Sequence, residues 1–295
     1  MKRLGTSGDR PPPHVTYLFQ LLICAIAAAM VVLVFFAPRY VAWSGFELPE
    51  SWSNPEINRA IETLRLIEDP FGYQPSPSNR VIVWRLLFVL PWHCLSLPKL
   101  GFLLMPFVGC VAALMLTAQL LYREGKSWRI AFCGTALTAT CSWFFVSTGW
   151  LTYFDSWVLL GLLAIGFVNH IGWGITACVL VPWIDERFVL TLPLAMTARA
   201  IYFDWLVKGE WRNILRQGMI FFAALLPWAG VRYGLILAGI DRGMKDGAGQ
   251  PFDRELLSNV LGNDSYRPGG WAYVQAGYLS HWAYGFGTLG NKQSG

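Results

Sequence analysis

Residues 15–37 contain no Asp, Glu, Lys, Arg or His. About 20 such residues are enough to cross a hydrocarbon core roughly 30 Å thick. Further apolar runs follow at 100–122, 129–149, 156–184, 188–203 and 217–239. Charged residues make up only 14% of the 295-residue chain, which also holds 15 Trp and 19 Phe. A soluble domain carries roughly 25% charged residues. Together these features exclude soluble disorder, collagen, coiled coil and a nucleic-acid-binding domain. They predict an all-α fold, a polytopic bundle of transmembrane helices.

The basic start, Lys2, Arg3 and Arg10, is compatible with a secretory signal peptide. The apolar core of such a signal runs about 7–15 residues. The run at 15–37 is longer and reads as a retained first span. The net charge of +5 suits basic cytoplasmic loops. It is too small and too scattered to recruit nucleic acid. Six cysteines lie within or beside apolar runs with no CxxC pairing, so they read as small buried hydrophobes.

Residues 39–80 form a polar connection between the first span and the rest. Within it, Ser53-Asn54-Pro55-Glu56 has the capping chemistry of a helix start. Ile57, Ala60, Ile61, Leu64 and Ile67 then recur on one helical face. This predicts an amphipathic helix lying on the membrane or on the other spans, ended by Pro70 and Gly72. Residues 81–97 are apolar but interrupted by Trp84-Arg85 and Pro91-Trp92-His93, and read as a half-inserted segment. The long run 156–184 is broken at Asn169-His170 and reads as two spans.

With that break, the N-terminus, the Arg123–Arg129 turn and the Lys208–Arg216 turn fall on one side. The positive-inside rule makes that side the cytoplasm. The expectation is seven crossings plus one half-inserted segment in the cytoplasmic (inner) membrane, with the N-terminus inside. A cytoplasmic tail (1–14) would precede a membrane domain (15–239) that includes the outer loop 38–80. An outer tail (240–295), rich in Gly and aromatic residues, would follow.

This topology puts Glu47, Glu50, Asp155, Asp185 and Glu186 near one outer level. Ionisable groups at a membrane boundary face a cavity or water, because burying them in lipid is costly. A carboxylate within reach of a substrate hydroxyl can act as a general base. The adjacent Asp185-Glu186 pair can also share a divalent cation, and Arg187 is placed to pair with Glu186. The basic candidates are Arg80, Arg85, Arg187 and Arg232. A guanidinium binds phosphate bidentately, although Arg232 near its span end can instead snorkel to the interface. The four histidines, His14, His93, His170 and His281, show no HExxH spacing, so no histidine metal centre is predicted. Trp residues concentrate at span ends as interfacial belts. The aromatic tail from Tyr266 reads as an anchor, a lid or a sugar-stacking surface.

The order of these features resembles bacterial multi-span membrane proteins of the GT-C glycosyltransferase type. The resemblance rests on the first span, on the acidic loop with its helix, and on Pro182-Trp-Ile-Asp-Glu-Arg-Phe188 followed by Leu192-Pro-Leu194. It covers residues 15–240. It implies transfer of a sugar from a polyprenyl-phosphate donor on the outer face, with Glu47 or Glu50 as catalytic base. Asp155, Asp185, Glu186, Arg80, Arg85, Arg187 and Arg232 would then be substrate-binding, with membrane lipid and the lipid-linked sugar donor as partners. In that family an acidic pair often follows the first span closely, whereas here Leu48-Pro49 separates the two glutamates. Two other functions fit the same composition: a transporter or flippase built on the interrupted helices, and a non-catalytic subunit of a membrane complex.

Overall fold

In the computed structural model, residues 14–36, 43 and 55–237 are described. The sequence expectations for the tail 1–13, for Glu47 and Glu50, for the Ser53-Asn54 cap and for 240–295 lie outside these residues. The described residues are helical, with no strand among them. In chain order the helices are α1 (His14–Phe36), α2 (Pro55–Glu68), α3 (Leu86–Cys94), α4 (Lys99–Gly125) and α5 (Trp128–Ala139). They continue as α6 (Ser142–Gly149), α7 (Asp155–Phe167), α8 (Ile171–Leu180), α9 (Arg187–Tyr202) and α10 (Trp211–Leu237). Short 3-10 helices cover Pro77–Trp84 and Val181–Trp183.

Three helices are long and apolar enough to cross a membrane: Val15–Phe35, Lys99–Gly125 and Trp211–Gly234. The pair α5 and α6, bent by 67° between them, makes a fourth if taken as one span. The outward faces of α1 and α10 carry exposed Leu18, Phe19, Ile23, Phe35, Leu215, Met219, Phe222 and Leu226. A helix apolar on all sides but open to its surroundings belongs in lipid. These are the helices of a membrane protein.

The other segments are shorter than the sequence reading required. At 1.5 Å per residue, the 13 residues of α7 cover roughly 20 Å, short of a full crossing, and α8 is shorter still. The two form a hairpin broken where Asn169-His170 interrupts the apolar run. His170 caps α8, its ring nitrogen accepting the Gly172 N–H at 3.2 Å. By length and composition the described helices supply three or four candidate spans, and the further crossings expected from the sequence are not shown among them. Residues 81–97 fold as a 3-10 turn followed by the nine-residue α3, which is too short to cross.

Helix α2, described over Pro55–Glu68, buries Ile57, Ala60, Leu64 and Ile67 of the predicted apolar face. It is buried more widely than one apolar stripe requires. Arg59, Glu62, Thr63 and Leu66 are enclosed as well, so α2 packs within the protein on more than one face.

Among the described residues, several buried clusters organise the bundle. Ala25, Val32, Cys110, Leu114, Ala139 and Phe144 join α1, α4, α5 and α6. Ile165, Ala177, Cys178, Val181, Phe188, Leu192, Phe221 and Leu225 join α7 to α10. Lipid is as apolar as leucine, so helices inside a membrane associate through close packing and small residues rather than through the hydrophobic effect. Gly109 of α4 shows this directly. A Cβ there would lie 2.5 Å from Ser156 Oγ and 2.6 Å from Trp157 Cδ1. The missing side chain lets α7 sit against α4, fixed by Ser156 Oγ donating to Pro106 O (2.9 Å) and Trp157 Nε1 to Met105 O (2.9 Å). That contact sets the height of the adjacent Asp155.

The bundle has two distinct ends. At one, the ring of Tyr17 packs against Tyr122 and Trp128, and Tyr202 donates to Glu124 (2.7 Å). The start of α1, the α4–α5 turn and the end of α9 thus share this end. These are the elements next to the three basic segments. At the other end, the rim, Trp43 donates to Thr148 O (3.3 Å), and α7 and α9 begin.

Candidate functional site: an arginine–carboxylate layer at the rim

Helix α9 follows a tight turn in which the Ile184 and Asp185 N–H groups both donate to Val181 O (2.8 and 3.0 Å). Pro182 suits this 3-10 turn, which needs no N–H from it. Asp185 comes just before the helix, where its carboxylate meets the positive end of the helix dipole. Its Oδ1 accepts the Arg187 backbone N–H (2.9 Å) and the Arg187 Nε–H (3.0 Å). Its Oδ2 accepts from Arg187 Nη2 (2.8 Å) and forms an ion pair with Arg85 Nη2 (2.8 Å). Arg187 Nη2 also pairs with Asp155, the first residue of α7. Glu186 pairs with Arg232 of α10, whose guanidinium also lies over Trp84 (5.5 Å) and Trp228 (5.2 Å).

Six of the residues singled out in the sequence thus meet in one layer: Asp155, Asp185, Glu186, Arg85, Arg187 and Arg232. They come from the 3-10/α3 junction, α7, the start of α9 and α10, far apart in the chain and joined only by packing. Two details differ from the sequence reading. Arg187 pairs with Asp185 and Asp155 rather than with Glu186, because the helix start turns its side chain back over the preceding turn. Arg232 does not snorkel; it is 4% exposed and bound to Glu186. Arg80 lies in the 3-10 helix Pro77–Trp84, and its side chain is outside the described residues. Glu47 and Glu50, the predicted bases, are outside them too.

The layer grades from buried to open. The Asp185 side chain is 2% exposed, Arg85 12% and Arg187 46%. Burial alone would raise the Asp185 pKa. Arg85 beside it and the Arg187 hydrogen bonds outweigh that and hold it at about 2. Asp185 therefore stays ionised near neutral pH and serves to position the two arginines.

Other polar groups nearby have no partner. Arg85 Nη1 is buried without a hydrogen bond among the described residues, and so is Thr152 Oγ1. Thr152 has φ +63°, a left-handed conformation that is rare for a β-branched residue and costs on the order of 1–3 kcal/mol. On α2, Arg59 lies 4.1 Å over the Tyr153 ring, with Nε and Nη2 buried and unpartnered.

The sequence reading missed a second arginine node at the opposite end of α9. Arg199, 2% exposed, donates through Nη1 to Ile165 O and Val168 O (both 2.7 Å) and through Nη2 to Asn169 O (3.3 Å). Its Nε donates to Gln217 Oε1 (2.6 Å). These carbonyls include the open C-terminal end of α7, where helix carbonyls lack partners of their own. An Arg in an apolar stretch with a Gln in the next helix was the available signal.

Two histidines serve the fold: His93 Nδ1 contacts Ile67 O (2.8 Å) and His170 caps α8. The six cysteines are free, with Cys24, Cys110 and Cys178 buried and Cys94, Cys133 and Cys141 exposed. No group of three or more His, Cys, Asp or Glu among the described residues is arranged to hold a metal ion. No protein-family model, curated protein or solved structure matches this chain.

Proposed function

We propose that the chain is an inner-membrane glycosyltransferase of the GT-C type that takes a sugar from a polyprenyl-phosphate donor at the extracytoplasmic face. The observation that carries this reading is the rim layer, in which three arginines and three carboxylates from distant segments gather beside apolar helices. A lipid-linked phosphate needs this combination, with guanidinium groups for the phosphate and apolar helix faces for the prenyl chain. The rim is taken as the outer side, with the N-terminus cytoplasmic. The helix ends beside the basic segments share the other end, which the positive-inside rule assigns to the cytoplasm.

In this reading the acceptor hydroxyl attacks the sugar C1 as its proton passes to a carboxylate base. The C1–O bond to phosphate breaks, and the electron pair leaves with the polyprenyl phosphate. Arg85 and Arg187 stabilise the charge that develops there. Asp185 is a positioning residue, too acidic to serve as base at neutral pH. Glu47 or Glu50 supplies the base, and Asp155 is the most exposed carboxylate of the layer.

The broken α7–α8 hairpin is the feature that best suits a transporter. Its tip carbonyls already accept the N–H groups of Arg199, which argues against a midplane cation site there. The test is transfer from a polyprenyl-phosphate sugar in proteoliposomes. Glu47→Gln or Glu50→Gln is expected to abolish transfer at unchanged protein level. Full transfer by both variants and by Asp155→Asn would remove the catalytic assignment.

A further inference from the structure

Three arginines of the rim layer are balanced by three carboxylates; Arg59 stands outside every ion pair among the described residues. It is 9% exposed and rests on the Tyr153 ring at 4.1 Å. A buried cation with no counter-charge is costly unless something pairs with it. The two nitrogens without partners are Nε and Nη2. They form one edge of the guanidinium, the side-on fork whose parallel N–H groups match two oxygens of a phosphate or carboxylate.

The neighbour along the chain from Tyr153 has the same character. Thr152 is 1% exposed, its hydroxyl has no partner, and its φ is +63°. Strain of this kind persists only where the surroundings enforce it, and it gathers at ligand sites. Arg85 completes the set. It spends Nη2 on Asp185 and keeps a buried Nη1 unpartnered. Asp185 in turn shares Arg187 with Asp155, three residues after Thr152. Three unsatisfied buried groups on neighbouring elements are rare in a folded protein, where such groups nearly always find partners.

We infer that Arg59, Thr152 and Arg85 form an anion site for a phosphate ester, with the Arg59 Nε/Nη2 edge taking two phosphate oxygens. This deepens the transferase reading and rests on it for the identity of the ligand: the site would hold the donor's phosphate. The Arg59 cation supplies the positive charge that the balanced layer lacks, and Thr152 supplies a hydroxyl donor.

The experiment measures binding to purified full-length protein in nanodiscs with three probes: a polyprenyl monophosphate, the matching polyprenol without phosphate, and inorganic phosphate. Thermal unfolding is followed in parallel. Wild type is expected to bind the lipid phosphate and not the alcohol. Binding of inorganic phosphate as well would assign a general phosphate site, and binding of the lipid phosphate alone a headgroup site. Arg59→Met should weaken phosphate binding at least about tenfold, because a charge-assisted bidentate contact is lost. Its ligand-free melting temperature should be unchanged or higher, since an unpaired buried charge is removed. Arg59→Lys keeps the charge but lacks the fork, and should weaken binding without unfolding the protein; it decides the matter if Arg59→Met does not fold. Wild-type affinity in Arg59→Lys or Arg59→Met, or no phosphate binding by wild type, would overturn the site. Phosphate binding without sugar transfer would sink the transferase reading and leave the site standing; transfer without Arg59 dependence would do the reverse.

Discussion

Helix α9 carries an arginine at each end, about 18 Å apart by helix rise, and the two are used differently. Arg199 is closed. Its hydrogen-bond partners are neutral carbonyls and one amide, and they use Nε, Nη1 and Nη2. It caps the tip of a broken hairpin and leaves little for a ligand. Arg187 belongs to an open layer. Its side chain is 46% exposed, it pairs with the carboxylates of Asp155 and Asp185, and nearby Arg85, Arg59 and Thr152 keep donors unused. A buried arginine therefore does not mark a function by itself. What separates a cap from a recognition site is whether the local donors and acceptors are exhausted.

Substitutions sharpen that contrast. The largest stability effect is expected at Arg199. Arg199→Met strands three carbonyls and Gln217 and should cost about 3–5 kcal/mol, read as a fall in melting temperature in detergent, with phosphate binding retained in the protein that folds. Asp185→Asn comes next at about 3 kcal/mol. It should also abolish phosphate binding, because Arg85 and Arg187 lose their common anchor. Equal loss of binding in the two variants would erase the distinction between the two ends.

The pH dependence follows from the sign of the Asp185 shift. Its folded pKa, about 2, lies below the unfolded value near 3.9. Its stabilisation is complete above about pH 4 and is lost as pH falls through about 2. Acid unfolding of wild type should therefore contain a component in that window that Asp185→Asn lacks, with no contribution from this group between pH 5 and 9. The smallest effect is expected at Thr152. Thr152→Gly relieves the left-handed strain and should stabilise by about 1 kcal/mol, while losing the hydroxyl and weakening phosphate binding. A destabilised Thr152→Gly protein would mean that the strain account of this turn is wrong.

Much of this was legible in the sequence. The apolar runs at 15–37 and 100–122 announce α1 and α4, because length without charge has few other solutions. The Ile57–Ile67 periodicity announces α2. The break at Asn169-His170 announces the hairpin, although not that its arms are too short to span. Asp155, Asp185, Glu186, Arg85, Arg187 and Arg232 stand out because ionisable groups are scarce in so apolar a chain. Their pairing did not follow from spacing. Arg187 chose Asp185 over its neighbour Glu186 through helix-start geometry, and Arg232 met Glu186 through the packing of α10. Arg59 and Thr152 were hidden for another reason: the first looked like an ordinary charge in a polar loop, and a left-handed threonine leaves no mark in composition.

The most direct test is photo-crosslinking with a diazirine-bearing polyprenyl phosphate, followed by peptide mapping. The account predicts label on peptides containing Arg85 and Thr152–Asp155, displaced by unlabelled polyprenyl phosphate, and none on the Arg199 end. Label centred on Phe167–Ile171 or Arg199–Trp205, or label spread along α1 and α10 that the competitor does not displace, would contradict it.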